Sequence, residues 1–271
     1  MRVAVGQFSA GLDKNANLSR ISELSAAAAA RGARLLVLPE GAMCDFGRAT
    51  DDLAPLAEAL DGPFVQALSA LADEHGQTVV AGMFEAIPGA SHIYNTAVAI
   101  APRVGLVAVY RKRRLFDAFT DRESDRFQPG AADPPLIEVD GFRVGMVICY
   151  ELRFPSLFES LADRGADLVL VPSAWVAGPL KEEHWRVLVH ARAVDNTVYV
   201  AGAAQTGGRY AARSLIVDPF GVEVSAMGEA EGVAVADVSR ERLAEIRARL
   251  PLLSQRREAR ALEDKRRTES C

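Results

Sequence analysis

The sequence predicts an α/β protein built as two packed β-sheets with helices outside each. Three observations carry this. Short apolar runs rich in Val, Ile and Leu alternate with longer helical runs, as strands and helices do in βαβ units. The chain also repeats itself. RGARLLVLPE (31–40) is matched by RGADLVLVPS (164–173), and upstream RVAVGQ (2–7) is matched by RVGMVI (143–148). Each pair brackets a strand-helix-strand unit, so two equivalent halves and a sandwich of two sheets are expected. Finally, the 271 residues can bury a full core and contain no Pro/Gly/Ser-rich linker. One domain over 1–271 is expected, with 251–271 as a C-terminal tail.

Taken in order, Val3 to Phe8 reads as a buried strand. Asn15 or Asn17 is expected to cap a helix that runs through Leu18, Ile21 and Leu24 into an alanine run and stops at Gly32. Leu35 to Leu38 is a second buried strand, ending in Pro39-Glu40. Residues 51–75 read as helical, broken near Asp61-Gly62-Pro63. Thr78 to Met83 is a strand. Asn95 to Ala101 and Val104 to Tyr110 form a hairpin around Pro102-Arg103. Arg111 to Gly130 is basic and loop-like. Leu136 to Val139 and Arg143 to Cys149 form a hairpin through Asp140-Gly141, a dipeptide that favours tight turns. Pro155 to Arg164 is a helix ended by Gly165, and Leu168 to Val171 a strand ending in Pro172-Ser173. A helix over 180–195 and a strand from Val198 to Ala203 follow. Ser214 to Val217, Val222 to Ser225 and Val233 to Val238 are strands. Ser239 caps a last helix to Leu250.

Composition removes several function classes. The formal net charge is -5 with both signs interspersed, which argues against a nucleic-acid binder. No apolar run is long enough to span a bilayer, and MRVAVGQFSAG is too short for a signal peptide. Three cysteines, Cys44, Cys149 and Cys271, cannot all pair internally, so free thiols and a reducing cytoplasmic setting are expected. Gly207-Gly208 lacks the strand-GxGxxG-helix context of a nucleotide site.

The chemistry centres on RVGMVICYELRFP (143–155). A thiol at the tip of a buried strand, just before a helix, stands where α/β sheets present reactive groups. Taken alone, Cys149 is only slightly favoured as a nucleophile over a packed small residue. Glu40 directly follows LLVLP, where partial desolvation raises a carboxylate pKa and makes it a usable base. Lys112 by itself reads as part of a solvated basic loop with Arg111, Arg113 and Arg114. Together the three form a coherent set. The carboxylate takes the thiol proton, the sulfur attacks an acyl carbon, and the ammonium with a backbone N–H after Cys149 stabilises the oxyanion.

LVLPE (36–40), YRKRRLFD (110–117) and VGMVICYELRFP (144–155) resemble, in order, the three motifs of the carbon-nitrogen hydrolase (nitrilase) superfamily. The resemblance continues through GMFE, YNTA, VPSAW, HWRVLVHARAVDNTVYVAGA, SLIVDPFG and PLLSQRR. It implies a four-layer αββα sandwich with pseudo-two-fold internal symmetry and a Glu40-Lys112-Cys149 triad. It also implies a second glutamate, Glu123, that holds Lys112 and helps position substrate. ARAVDNTVYVAGA and CYELRFP look most like the branch containing omega-amidase and deaminated-glutathione amidase. Two positions depart from that branch: Arg114 stands where His is usual, and Glu151 where Asp is frequent. An extra cation near the cleft would favour an acidic substrate; the alternative is that Arg114 points to solvent.

The expected activity is hydrolysis of a small non-peptide amide to acid and ammonia through an acyl-thioester, with no cofactor. An N-carbamoyl-amine amidohydrolase and a nitrilase use the same triad and differ by product. A non-catalytic binding protein is a further reading, against which the intact triad argues. Tyr150, Arg153, Trp175 and Arg114 are candidate substrate contacts; Arg153 has a salt bridge to Glu151 as its alternative role. His184 and His190 lie six apart on one predicted helix and so on different faces, and no metal is expected. Cys44 is expected to be a packed small residue, and Cys271, at the terminus, exposed and incidental. Gly82, Glu85 and Asn95 resemble family scaffold positions and are assigned no chemistry. The resemblance suggests a homodimer or larger assembly.

Overall fold

The computed structural model describes residues 1–119 and 121–269. Its first half runs β1 (Arg2–Gln7), α1 (Lys14–Ala30), β2 (Leu35–Val37), α2 (Pro63–His75), β3 (Thr78–Glu85), β4 (Tyr94–Ala101) and β5 (Gly105–Arg111). A short hairpin follows, β6 (Asp117–Ala118) with β7 (Asp121–Arg122). The second half runs β8 (Leu136–Val139), β9 (Phe142–Met146), α3 (Pro155–Asp163), β10 (Leu168–Ser173), α4 (Lys181–Asn196), β11 (Tyr199–Ala204), β12 (Leu215–Val217) and β13 (Glu223–Ala226). β14 (Gly232–Asp237), α5 (Arg240–Arg249) and α6 (Leu252–Glu269) complete it.

The strands form two six-stranded sheets, ordered β14-β1-β2-β3-β4-β5 and β8-β9-β10-β11-β12-β13. Both have the same pattern of directions. Three central strands run parallel, an antiparallel strand flanks one side, and two antiparallel strands extend the other. The parallel neighbours need crossovers, and α1, α2, α3 and α4 supply them. The repeated sequences fall on matching strands: β1 with β9, and β2 with β10. Parallel strands end at one edge of their sheet, and β5, reversed twice from β3, ends there too.

Side chains alternate across the first sheet with the period of two that strands impose. Val3, Val5, Leu35, Val37 and Val80 face the second sheet, while Ala4, Leu36, Leu38 and Val79 pack with Ile21 and Leu24 of α1 and with Phe64 and Leu68 of α2. The second sheet carries its helices on its outer face. Leu161 of α3 lies on Gly145, and Trp185 of α4 on Gly202. The result is helix, sheet, sheet, helix. Among the described residues, no helix is long and apolar enough to cross a membrane.

The differences from the sequence-based expectations are local. Asp13, not Asn15 or Asn17, caps α1; its carboxylate accepts from the Asn15 and Ala16 N–H groups. The helix thus starts before its first apolar residue, and Asn17 instead tethers Gly11 and Met43. Most of 51–62 is irregular, with a single 3-10 turn at Ala54–Leu56, because Pro55 and Gly62-Pro63 break the run. The segment 111–130 holds the short hairpin and a 3-10 turn, Glu123–Asp125. The helix to Leu250 is not the last: α6 begins directly after Pro251, and its Arg256 donates to Asp195 and Asn196 while its Arg260 pairs with Glu159 and Asp163. Cys271 lies outside the described residues.

Gly82 fixes the spacing between β3 and the chain beyond β2. A Cβ there would stand 2.6 Å from the Glu40 Cα and 2.6 Å from the Gly41 N. Gly82→Ala should therefore destabilise the protein by about 1–3 kcal/mol, the range for overpacking. Urea denaturation measures this, and an unchanged midpoint would show that the segment has room to move.

Candidate active site

Three strand ends deliver the central groups. The chain beyond β2 stays in the sheet at Leu38, whose N–H bonds Val80 O; Pro39 has no N–H, and Gly41, at φ 63°, turns the chain away. Glu40 is left at the sheet edge. Lys112 follows β5 directly. Its N–H donates to Asn95 O and its own carbonyl accepts from the Gly130 N–H, both at 2.8 Å. After β9, Val147 N–H still bonds Leu170 O, and then a 3-10 turn begins at Cys149. Cys149 has φ 48°, a left-handed conformation that costs a non-glycine residue about 1–3 kcal/mol. Such strain marks sites where geometry outranks stability.

The side chains meet in the interior. Lys112 Nζ is 2.8 Å from Glu40 Oε1 and 2.9 Å from Glu123 Oε2. Asn95 Nδ2 donates to the same two carboxylates, at 2.8 and 2.7 Å. The second sheet contributes the Ala174 N–H, 2.8 Å from Glu40 Oε2, just past the end of β10. Glu123 is held further by the Phe116 N–H at 2.5 Å. Asn95 Oδ1 has no hydrogen-bond partner among the described residues. That orphan acceptor follows from aiming the amide donors at two anions, the only orientation that avoids repulsion.

These contacts set the protonation states. Burial alone would lower the Lys112 pKa, but Glu123 and then Glu40 outweigh it and raise it, so the ammonium stays charged. Cys149 moves the other way for reactivity. Burial raises its pKa well above the usual thiol value, the Glu40 charge raises it further, and Lys112 only partly opposes this. Cys149 therefore rests as a thiol beside an acceptor. Cys44 is also buried, its pKa pushed up to about 11, but it packs with the α1 and α2 core and lies outside the cavity.

Glu40, Lys112, Cys149 and Glu123 all line one cavity of about 230 Å³. Tyr150, Arg153 and Trp175 form part of its wall. Arg114 does not. Its backbone N–H points inward to Glu151, and its exposed guanidinium lies over the Phe154 ring at 5.5 Å. Arg153 makes no ion pair with Glu151; it contacts His184 Nδ1 at 3.3 Å and stacks over Trp175.

Residues 2–248 match the family model described as carbon-nitrogen hydrolase. The chain belongs to the carbon-nitrogen hydrolase family. It is 38% identical over 258 residues to a deaminated glutathione amidase of Escherichia coli O157:H7, covering 95% of this chain and 97% of that one. It is 34% identical to the bovine (Bos taurus) omega-amidase NIT2, covering 94% and 95%. Among solved structures it resembles Saccharomyces cerevisiae Nit3, a nitrilase-superfamily member, with TM-score 0.84 and 30% identity over 95% of this chain and 96% of that one.

Three residues of this carbon-nitrogen hydrolase site have roles that the sequence did not assign: Asn95 and Glu151, noted there without a role, and Lys181, not singled out. Asn95 bridges the two carboxylates; its sequence signal was a polar residue opening an apolar strand. Glu151 is fully buried and faces away from the cavity. Its carboxylate accepts from Tyr110 OH, from the Arg113 and Arg114 N–H groups, and from the Ile148 N–H. It thereby ties the Lys112 segment to the Cys149 turn. Lys181, the first residue of α4, reaches the cavity wall.

Two outcomes follow from this geometry. Folding raises the Cys149 pKa, so the protonated thiol's contribution to stability is complete below pH about 9 and is lost as pH rises above that. The 240 nm difference spectrum between wild type and Cys149→Ala should show no thiolate below pH 9; a band at pH 7 would contradict a protonated resting thiol. Glu151→Gln turns one acceptor into a donor facing buried N–H groups. It should cost about 1–3 kcal/mol in chemical denaturation and lower turnover more than substrate affinity. Wild-type stability in that variant would mean the carboxylate is dispensable.

Proposed function

We propose that this carbon-nitrogen hydrolase cleaves a small linear amide through an acyl-thioester on Cys149. One observation carries the reading: a conformationally strained Cys149 stands beside the Glu40 carboxylate, which Lys112, Asn95 and the Ala174 N–H orient. The names of the deaminated glutathione amidase and omega-amidase relatives support an amide rather than a nitrile or carbamoyl substrate.

The reaction runs in two halves. Glu40 takes the thiol proton as sulfur attacks the amide carbon. The carbonyl electrons move to oxygen, where Lys112 Nζ and the Tyr150 N–H receive the charge. The C–N bond breaks, nitrogen takes the proton from Glu40, and ammonia leaves an acyl-thioester. Glu40 then deprotonates water, the hydroxide adds to the thioester carbon, and the C–S bond breaks. The acid leaves, and sulfur recovers its proton through Glu40. Glu123 holds Lys112 in place throughout. In the same proposal the chain is one hydrolase domain with a C-terminal extension. It works in the cytoplasm, where its buried free thiols suit a reducing setting, and forms the homo-oligomer that the family resemblance implies.

Ammonia release from a panel of small amides, N-carbamoyl amino acids and nitriles tests this. Cys149→Ala should abolish release, and Glu40→Gln should lower it by at least about two powers of ten with an unchanged far-UV spectrum. Substantial turnover by Cys149→Ala would remove the nucleophile assignment.

A further inference from the structure

The two carboxylates beside Lys112 differ in the lone pairs they have left. A carboxylate offers about four acceptor sites, two on each oxygen. Glu123 has both oxygens occupied from both sides. Asn95 Nδ2 reaches its Oε1 at 2.7 Å, the Phe116 N–H reaches its Oε2 at 2.5 Å, and Lys112 Nζ spans the two at 3.1 and 2.9 Å. Glu40 is less crowded. Its Oε1 accepts from Lys112 Nζ and from Asn95 Nδ2, both at 2.8 Å. Among the described residues its Oε2 accepts from one donor, the Ala174 N–H at 2.8 Å. One lone pair on Oε2 is therefore open, and Cys149 lies against this carboxylate.

Asn95 decides that count. It is buried on β4, between β3 and β5, and its carbonyl accepts the Lys112 N–H, so its place is fixed. Both hydrogens of its amide go to the two anions, while Oδ1 has no donor among the described residues. An unpaired buried acceptor costs stability, so packing alone does not account for an amide at this position. Without its N–H groups, Oε1 of Glu40 would have an open lone pair and would compete with Oε2 for a proton.

We propose that Asn95 is a positioning residue that closes Oε1 of Glu40 and leaves Oε2 as the single atom that takes and returns the proton of Cys149. The inference rests on the reading of Glu40 as the base. In acylation the proton passes from Sγ to Oε2 as sulfur bonds the acyl carbon. It passes from Oε2 to the leaving nitrogen as the C–N bond breaks. Oε1 stays with Lys112 and Asn95 throughout, so the ammonium keeps its partner while the proton moves. Glu123, with no lone pair open, cannot take over, and this separates the roles of the two carboxylates.

Alkylation of Cys149 by iodoacetamide across pH tests this in the whole protein. Sulfur bonds the methylene carbon, iodide leaves, and the thiol proton passes to the base. Mass mapping of the peptide that carries Cys149 keeps the other cysteines out of the measurement. In wild type the rate should fall on the acid side, where the base is protonated. Glu40 faces Lys112, Glu123, Cys149, Asn95 and the Ala174 N–H, so changing Asn95 leaves every charge in place. Asn95→Leu removes the donors, and a carboxylate that loses a hydrogen bond holds its proton more tightly. The acid limb should move up by about one pH unit. Asn95→Ser, a smaller change that keeps one donor, should move it the same way by less; far-UV spectra show that the variants fold. A purely structural role would lower the rate at every pH and leave the limb where it is. Glu40→Gln is the control and should erase the limb. A limb unmoved in the Asn95 variants but lost in Glu40→Gln would overturn the proposal and leave the base assignment standing. A limb that persists in Glu40→Gln would overturn both.

Discussion

The site depends on one buried cation, the Lys112 ammonium held between Glu40 and Glu123. A lone charge at that depth would lose its proton or pull the chain apart; two carboxylates at 2.8 and 2.9 Å keep it charged. The arrangement is poor as a stability device, since desolvating three charges cancels much of their attraction. Its value is in fixing positions. Lys112 is gripped by its backbone as well, through Asn95 and Gly130, and Gly130 lies so close to Arg111 that no larger residue fits. The cation is thus located before any ligand arrives, and Glu40 is located by the cation.

The two sheets matter because they close around this pair. Glu40 belongs to the first sheet, yet its carboxylate accepts from Ala174 and its carbonyl from the Gln205 side chain, both beyond strands of the second sheet. Cys149 comes from the second sheet, yet Glu151 beside it bonds the backbone at Arg113 and Arg114, beyond the first. Each sheet therefore orients the other's reactive group. Sliding one sheet on the other would break these bonds together, so packing of the sandwich and assembly of the site are one event.

This explains what could be read from the sequence. Strands with both faces covered are written as unbroken apolar runs, so β1, β2, β3, β9, β10 and β11 were legible, and Glu40 and Cys149 stood out where such runs stop. Lys112 follows the half-exposed β5 and read alone as part of a basic loop; it stood out only in combination with the other two. Glu123 came through resemblance alone: it lies among Asp121 and Asp125 in a segment that reads as solvated, and only the contacts with Phe116, Asn95 and Lys112 bury it. Arg114 and Lys181 were hidden for a related reason. The inward or outward aim of a loop cation depends on backbone turns, here the N–H bond to Glu151 and the left-handed Leu180, which no local pattern encodes. The helical reading of the part of 51–62 before the expected break at Gly62 failed at Pro55, whose ring and missing N–H limit the segment to one 3-10 turn.

Charge balance then orients any ligand in the cavity. Around Lys112 the two carboxylates leave a net negative end, which repels a carboxylate and suits a neutral, polarisable carbonyl. Around Lys181 and Arg153 the balance is reversed: two cations share one tryptophan ring, and among the described residues no carboxylate is ion-paired to either. The cavity thus runs from an acidic end at Glu40 and Glu123 to a cationic end at Lys181 and Arg153.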